Sequence, residues 1–305
     1  MQLSVATLVL CAVQAVLSQK IILTNDDGWA TAQIRAQNDA LITAGFDVVL
    51  SAPALQKSGT GSSSAPPTPL TQPCEFNTCP TGSPATGFNA SNPRLNYVNS
   101  FPVDAARFGI QTLAPQFFGS PPDFVVSGPN IGTNLGSGIT GSGTVGAASE
   151  AALEGIPSAA FSGATGSQVS YTTLVTDPNS TSSVAARLYA GLVAKFTKAL
   201  ITPAARPILQ PGITLNVNLA ATSGSGCTNA SNFRFIFTRL VANSGATDVS
   251  TCGTTHLPDE STVTRSGGCF VTVTVIDATT KKDVNATVQG VVLNRLQNLP
   301  FTCFN

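Results

Sequence analysis

The sequence predicts an α/β fold in which a mainly parallel β-sheet is covered by helices on both faces. Short, continuous runs of apolar residues, such as Ile21–Thr24 and Asp123–Val126, have the length and composition of strands that are buried on both faces. They alternate with segments whose apolar residues recur at helical spacing, of which Val184–Leu200 is the clearest. This alternation is typical of βαβ units, and a chain of 305 residues is long enough for one large α/β domain.

The elements of this core follow one another from residue 19 to residue 219. The predicted strands are Ile21–Thr24, Val48–Ser51, Asp123–Val126, Ala159–Ser162 and Gly212–Leu219. The predicted helices are Ala30–Thr43, Val103–Leu113, Thr144–Leu153 and Val184–Leu200. Residues 52–92 are rich in Pro, Ser, Thr and Gly, which predicts a loop with little regular structure. We expect Gly212–Leu219 to be the last strand of the main sheet.

The pattern changes after about residue 220. Phe233–Arg239 and Cys269–Val275 alternate between apolar and polar residues, as half-exposed strands do, and Val288–Leu296 has helical spacing. We therefore predict that residues 220–305 form a Cys-rich extension with a β-hairpin and a helix, belonging to the same domain as the core.

The N-terminal residues 1–18 have the features of a secretory signal peptide. Leu3–Leu17 is apolar but too short to span a bilayer comfortably, and small residues precede Gln19. A first buried strand or helix is the alternative. Four N-x-S/T sequons fit a secreted glycoprotein, and they start at Asn89, Asn179, Asn229 and Asn285.

The cysteines also indicate an oxidising compartment. Six remain after the predicted signal peptide, and because none forms a CxxC pair, disulfides are favoured over a zinc site. We expect a local disulfide between Cys74 and Cys79, whereas spacing leaves the pairing of the other four open.

Charge excludes one class of partner. The chain has no net formal charge, and only 10% of its residues are charged. With no Lys/Arg-rich run, a basic surface for a nucleic-acid polymer is not expected. No membrane partner is expected either.

The segment Asn25-Asp26-Asp27-Gly28 follows the first predicted strand directly. The C-terminal edge of a parallel sheet is where α/β proteins bind ligands. Two adjacent carboxylates there suit Mg²⁺ or Mn²⁺, or else Ca²⁺, because these cations prefer oxygen ligands. An isolated Asn-Asp-Asp-Gly is equally a good turn sequence.

Other loops supply further polar groups to the same edge. Ser58 follows the second strand, Asn130 and Asn134 follow the third, and Ser142 begins the next helix. The carboxylates with Ser58 and Asn130 could hold a divalent cation through oxygen atoms. Gly-rich turns and a helix N-terminus could receive a phosphate group through their N–H groups.

In these segments the chain resembles the SurE family of phosphatases, the survival-protein-like nucleotidases. The resemblance extends in the family's order from residue 20 to residue 219. The segments that carry it are Ile22–Gly28, Ser51–Pro53 with Lys57–Gly59, Pro122–Asn130 with Asn134–Gly136, Ser142–Val145, Glu154–Pro157 and Leu215–Asn218. It is similar above all to the secreted fungal branch, described as acid phosphatases. Departures include Pro129 before the ligand Asn and Gln56–Lys57 where an Arg-containing pair is common.

The resemblance implies a Rossmann-like three-layer α/β/α sandwich that hydrolyses phosphate monoesters with a divalent metal. The implied metal ligands are Asp26, Asp27, Ser58 and Asn130. The implied phosphate-side residues are Ser142, Gly143 and Thr144, with Asn130 and Asn134 nearby. A homodimer or higher oligomer is also implied.

We accordingly expect a secreted acid phosphatase or nucleotidase that acts on small phosphate esters. Asp26 would orient or deprotonate the attacking water or attack phosphorus itself, and Asp27 would chiefly hold the metal. The alternatives are an exopolyphosphatase with the same site and a non-catalytic metal- or phosphate-binding glycoprotein. His256, the only histidine, could be a general acid or an exposed loop residue.

Overall fold

A computed structural model describes residues 18–203, 205–224 and 226–304. The strands are β1 (Lys20–Thr24), β2 (Asp47–Pro53), β3 (Thr86–Asn89), β4 (Asn92–Val98), β5 (Phe124–Ile131), β6 (Ser158–Gly163), β7 (Ile213–Leu219), β8 (Arg234–Thr238) and β9 (Phe270–Asp277). The α-helices are α1 (Ala32–Thr43), α2 (Pro102–Phe108), α3 (Ala114–Phe118), α4 (Gly143–Leu153), α5 (Thr173–Thr176), α6 (Thr181–Ile201), α7 (Glu260–Arg265) and α8 (Ala286–Arg295). The predicted signal peptide at residues 1–18 lies almost entirely outside the described residues, of which Ser18 is the first.

The strands form one sheet in the order β3-β4-β2-β1-β5-β6-β7-β9-β8. From β4 to β7 every neighbouring pair is parallel. From β1 the chain adds β2 and β4 on one side of the sheet. It then crosses back and adds β5, β6 and β7 on the other side of β1. The reversal makes the C-terminal ends of β1 and β5 the switch point, where open α/β sheets bind ligands.

Both faces of the sheet are covered by helices, which confirms the α/β prediction. On one face α1 packs against α6, and on the other α2 packs against α4. The side chains of β1 alternate accordingly: Ile21 and Leu23 belong to the large core on the α6 side, and Ile22 belongs to a second core with Ile110 and Ala151. All three β1 residues are fully buried because each face of the strand meets a helical layer.

The prediction of a loop over residues 52–92 is wrong at its end, where β3 and the start of β4 form an antiparallel pair at the edge of the sheet. β3 has the sequence Thr-Gly-Phe-Asn, and Phe88 is exposed. An edge strand that is only partly buried needs no continuous apolar run, so the composition does not reveal it.

The predicted hairpin of the extension is also wrong. β9 pairs antiparallel with β7, so β7 is not the last strand of the sheet. β8 then pairs parallel with β9, which requires a crossover, and the crossover contains α7. Thr238 and Thr274 are buried rather than half-exposed, because their hydroxyls are hydrogen-bonded to each other at 2.7 Å.

The structure confirms the Cys74–Cys79 disulfide. It pairs the remaining cysteines as Cys227–Cys269 and Cys252–Cys303, both within the extension.

A bilayer-spanning helix is not found in the described part of the chain.

Candidate active site

The turn after β1 is built by Asn25. Its side-chain oxygen accepts from the Gly28 N–H at 3.2 Å, and its amide nitrogen donates to the Gly28 carbonyl at 3.0 Å. Gly28 has φ +109°, a conformation that favours glycine. The closed turn fixes the backbone of Asp26 and Asp27 at the switch point of the sheet.

Asp26 is bound by the N-terminus of α4. The Thr144 N–H donates to Asp26 Oδ2 at 3.1 Å, and the Thr144 hydroxyl donates to Oδ1 at 2.7 Å. Ser142 caps the helix, because its Oγ accepts from the Val145 N–H at 3.1 Å. The positive end of the helix dipole therefore faces the carboxylate.

Gly143 allows this approach. A Cβ at that position would lie 2.8 Å from Asp26 Cβ and 2.9 Å from Pro102 Cγ. The predicted phosphate-side residues Ser142, Gly143 and Thr144 are thus brought together, and two of them contact Asp26.

Gly143→Ala is therefore expected to lower the free energy of unfolding by about 1–3 kcal/mol, because the added methyl group overpacks the contact. Gly191→Ala is the matched control. Gly191 lies on the exposed side of α6, where a Cβ would meet no atom within 4 Å, so alanine should stabilise the helix by about 1 kcal/mol. Urea denaturation measures the free energy of unfolding of both variants. Changes of the same sign in the two variants would contradict the close contact of Gly143 with Asp26.

Asp27 is bound from two other loops. The Ile131 N–H donates to Asp27 Oδ2 at 2.8 Å, and Gln168 Nε2 donates to Oδ1 at 2.7 Å. The Ile131 N–H is free to do so because the pairing of β5 with β1 ends at Ser127, before Ile131. The pairing of β5 with β6 is also irregular between Ser127 and Asn130, which forms a bulge.

Asn130 lies beside this bulge and is 8% exposed. Its Nδ2 donates to the Gly132 carbonyl at 2.8 Å, which fixes the orientation of the amide. Its Oδ1 has no hydrogen-bond partner among the residues that the structure describes, so this oxygen is available to a ligand.

Ser58 lies on the exposed loop after β2, where its hydroxyl is bonded to Gln56 Nε2 at 3.0 Å. The adjacent Lys57 N–H donates to the Asp26 carbonyl at 2.7 Å, which ties the loop to the turn after β1. In the described part of the chain the Ser58 hydroxyl does not hydrogen-bond to the side chains of Asp26, Asp27 or Asn130.

Asn134 is held by protein partners through its backbone and its side-chain nitrogen. Its Nδ2 donates to Ser162 Oγ at 2.8 Å, and its backbone carbonyl accepts from Asn216 and Asn218, both at 2.9 Å. Its Oδ1 has no hydrogen-bond partner among the described residues. This arrangement favours a role in shaping the Gly-rich loop.

Glu260, the first residue of α7, supports the same loop from the extension. It is fully buried, and its carboxyl accepts from the Gly136 N–H at 2.7 Å and from the Thr274 hydroxyl at 2.8 Å. Burial raises its pKa to about 8.

The electrostatics of the site call for a cation. Asp26 and Asp27 are 2% and 1% exposed, and neither forms an ion pair with a Lys, Arg or His side chain within residues 18–203, 205–224 and 226–304. Burial raises the pKa of Asp26. Burial, and then the charge of Asp26, raise the pKa of Asp27 well above its usual range. Two buried adjacent carboxylates are costly unless a positive charge compensates them.

The donor set fits a hard divalent cation. The carboxylates and Asn130 Oδ1 offer oxygen only, as Mg²⁺ and Mn²⁺ prefer. Among the described residues, no group of three or more His, Cys, Asp or Glu side chains could hold an ion. A site with few protein ligands suits Mg²⁺, which keeps several of its waters.

Sequence reasoning missed Gln168 and Glu75. Gln168 lies on the loop after β6, at the same edge of the sheet, and this position was the available signal. The Glu75 carboxyl lies against Gly28, and its charge contributes to the raised pKa of Asp27. Burial raises the pKa of Glu75 itself to about 7. The feature of the sequence that could have indicated Glu75 is its position directly after Cys74, in the loop that the predicted disulfide closes.

His256 is exposed and lies outside this group of side chains. It lines a cavity of about 480 Å³ in the extension, together with Phe237, Phe301 and the Cys252–Cys303 disulfide.

Comparison with known proteins identifies relatives along most of the chain. The sequence model of the family described as "Survival protein SurE" matches residues 21–245. An acid phosphatase from Yarrowia lipolytica is 34% identical in an alignment of length 285, gaps included, that covers 84% of this chain and 78% of that protein. A 5'-nucleotidase SurE from Geobacter metallireducens is 40% identical over 146 residues, 48% of this chain and 50% of that protein.

A solved structure has the same fold. The crystal structure of the SurE protein from Aquifex aeolicus superposes with a TM-score of 0.59 at 22% identity, covering 90% of this chain and 98% of that one. The likeness confirms the Rossmann-like α/β fold.

Proposed function

The chain belongs to the Survival protein SurE family, and from this membership and its site we propose that it is a divalent-metal-dependent phosphomonoesterase. It acts on nucleotides or other small phosphate esters, as the names of the acid phosphatase and 5'-nucleotidase relatives suggest. The observation that carries the proposal is the buried Asp26–Asp27 pair at the switch point, for which no protein cation compensates in the described part of the chain.

Asp26, Asp27 and Asn130 would hold the cation, and Ser58 would join them from the loop after β2. The cation, Mg²⁺ or Mn²⁺, would acidify a bound water and neutralise the charge that develops on the phosphate. Ca²⁺ is a weaker candidate for the same oxygen ligands.

Asp26 has the catalytic role among these residues. Both of its oxygens accept hydrogen bonds from Thr144, which fixes the carboxylate in one orientation. This restraint supports a base that orients and deprotonates water over a nucleophile that must move toward phosphorus.

The phosphate group would bind between Asn130 and the start of α4. The N–H groups of Thr144 and Val145 are already bonded to Asp26 and Ser142, so they are not free for the substrate. The Ser142 hydroxyl accepts from Val145 and keeps its own hydrogen, which makes it the donor at this helix end for a phosphate oxygen.

The proposal also includes export, glycosylation and oligomer formation. Export through the N-terminal segment is supported by the pairing of the cysteines as disulfides, which form in oxidising compartments. Glycosylation at the sequons and a homodimer or higher oligomer are the remaining parts of the proposal. Exopolyphosphatase activity would use the same site, and a binding protein would keep the ligands without turnover.

The test is an assay of the purified protein on p-nitrophenyl phosphate, a panel of nucleotides and polyphosphate. We expect phosphate release with Mg²⁺ or Mn²⁺ that falls to background in EDTA and returns on adding the metal. Release from polyphosphate alone would favour the exopolyphosphatase. A folded, metal-loaded protein without turnover between acidic and neutral pH would favour the binding protein.

A further inference from the structure

The loop closed by the Cys74–Cys79 disulfide is docked at the edge of the sheet that carries Asp26 and Asp27. The Glu75 N–H donates to the Ala54 carbonyl at 3.0 Å, directly after β2 ends. Within the loop, the Cys74 N–H donates to the Cys79 carbonyl at 2.9 Å. The disulfide and these two bonds restrain the backbone from which the Glu75 side chain extends.

The side chain occupies space that Gly28 leaves open. A Cβ on Gly28 would lie 2.0 Å from Glu75 Oε2. This Oε2 is buried and has no hydrogen-bond partner among the described residues. A buried carboxylate oxygen without a partner costs free energy unless a ligand or water supplies a donor. Its charge acts on Asp27, whose pKa it helps to raise.

We infer that Glu75 is a further acidic residue of the metal centre, which accepts a hydrogen bond from a water bound to the divalent cation and is positioned by the Cys74–Cys79 loop. The inference rests on the proposed function. Because no three acidic side chains of the described chain are close enough to hold an ion together, Glu75 acts through water rather than as a direct ligand. Partners of this kind orient the coordination shell and strengthen binding.

The test measures Mn²⁺ and Mg²⁺ binding to the metal-free protein by calorimetry, with the Mn²⁺ EPR spectrum as a second readout. Glu75→Gln keeps the size of the side chain and removes its charge, and we expect it to raise the Mn²⁺ Kd about tenfold. Asp177→Asn, which removes an exposed carboxylate, is the matched control and should leave the Kd unchanged. Metal-free thermal melts verify that each variant is folded.

The loop is tested by a double-mutant cycle. Cys74→Ser with Cys79→Ser should weaken Mn²⁺ binding as Glu75→Gln does, and adding Glu75→Gln should cause little further loss. Unchanged affinity of folded Glu75→Gln overturns the inference while the proposed function stands. Failure of the wild type to bind either metal overturns both. Additive losses in the cycle overturn the positioning by the disulfide loop.

Discussion

Asp27→Asn is expected to abolish phosphatase activity, by about 10³-fold or more, and yet to stabilise the metal-free protein by about 1–3 kcal/mol. The activity falls because a ligand charge is lost. The stability rises because Asp27 is 1% exposed beside another buried carboxylate, and the variant removes this repulsion. Asparagine keeps both contacts, since its oxygen can accept from Ile131 and the Gln168 amide can turn to accept from its NH₂ group.

Thermal melts with and without Mg²⁺ check this prediction. The wild type should gain stability with the metal, because a ligand that binds only the folded state stabilises it. The variant should begin at a higher Tm and gain little. Asp177→Asn again controls for a generic loss of charge. A metal-free variant less stable than the wild type would show that the buried pair is compensated by the protein itself.

The wild type is expected to become less stable as the pH rises, because Glu260 ionises. Glu260→Gln is expected to be free of this decrease. Burial raises the pKa of Glu260 from 4.5 to about 8, so the folded state favours the protonated acid. The contribution of the protonated Glu260 to the free energy of unfolding is fully present below pH 4.5 and is lost as the pH rises through 8. Between pH 4.5 and pH 7 the loss is about 3 kcal/mol.

Glutamine resembles the protonated acid in this position. Its oxygen can accept from Gly136 and from Asn216, as Oε1 does, and its NH₂ group can donate to the Thr274 hydroxyl, which then donates to Thr238. The bond from Asn216 to the other carboxyl oxygen is lost in the variant, as it is weakened in the protonated acid. Urea denaturation from pH 4.5 to pH 8 should give a flatter stability profile for the variant than for the wild type. Parallel profiles would mean that Glu260 stays ionised in the folded protein.

The sequence predicts a site residue well when that residue lies at the end of a strand or at the start of a helix, and poorly when it lies in a long loop. Asp26 follows β1, Asn130 lies near the C-terminal end of β5 and Thr144 lies in the first turn of α4, so the parallel sheet brings them together without knowledge of side-chain contacts. Gln168 contacts Asp27 from the loop after β6, and Glu75 lies against the neighbouring Gly28 from the loop that the Cys74–Cys79 disulfide closes. The sequence shows the carboxylate beside Cys74, but it does not show where either loop packs.

The fold shows the same division. β1 and α6 are recognised from their own apolar spacing, because their burial is complete or one-sided in the expected way. The prediction that β8 and β9 are half-exposed is wrong because Thr238 and Thr274, which are buried, resemble solvent-facing positions in the sequence. Their buried hydroxyls are instead satisfied by each other and by Glu260. Period-2 alternation of apolar and polar residues cannot distinguish a polar side chain that faces water from one that is buried against a polar partner.

The hydrogen bond that the Gly136 N–H donates to the Glu260 carboxyl joins residues that are 124 positions apart. The C-terminal extension therefore forms part of the scaffold of the Gly-rich loop that precedes α4. Truncating the protein before residue 220 would not yield a minimal enzyme, because Asn216 would lose its bonds to Glu260, and Gly136 its acceptor. Attempts to shorten or graft this fold should keep α7 together with β9.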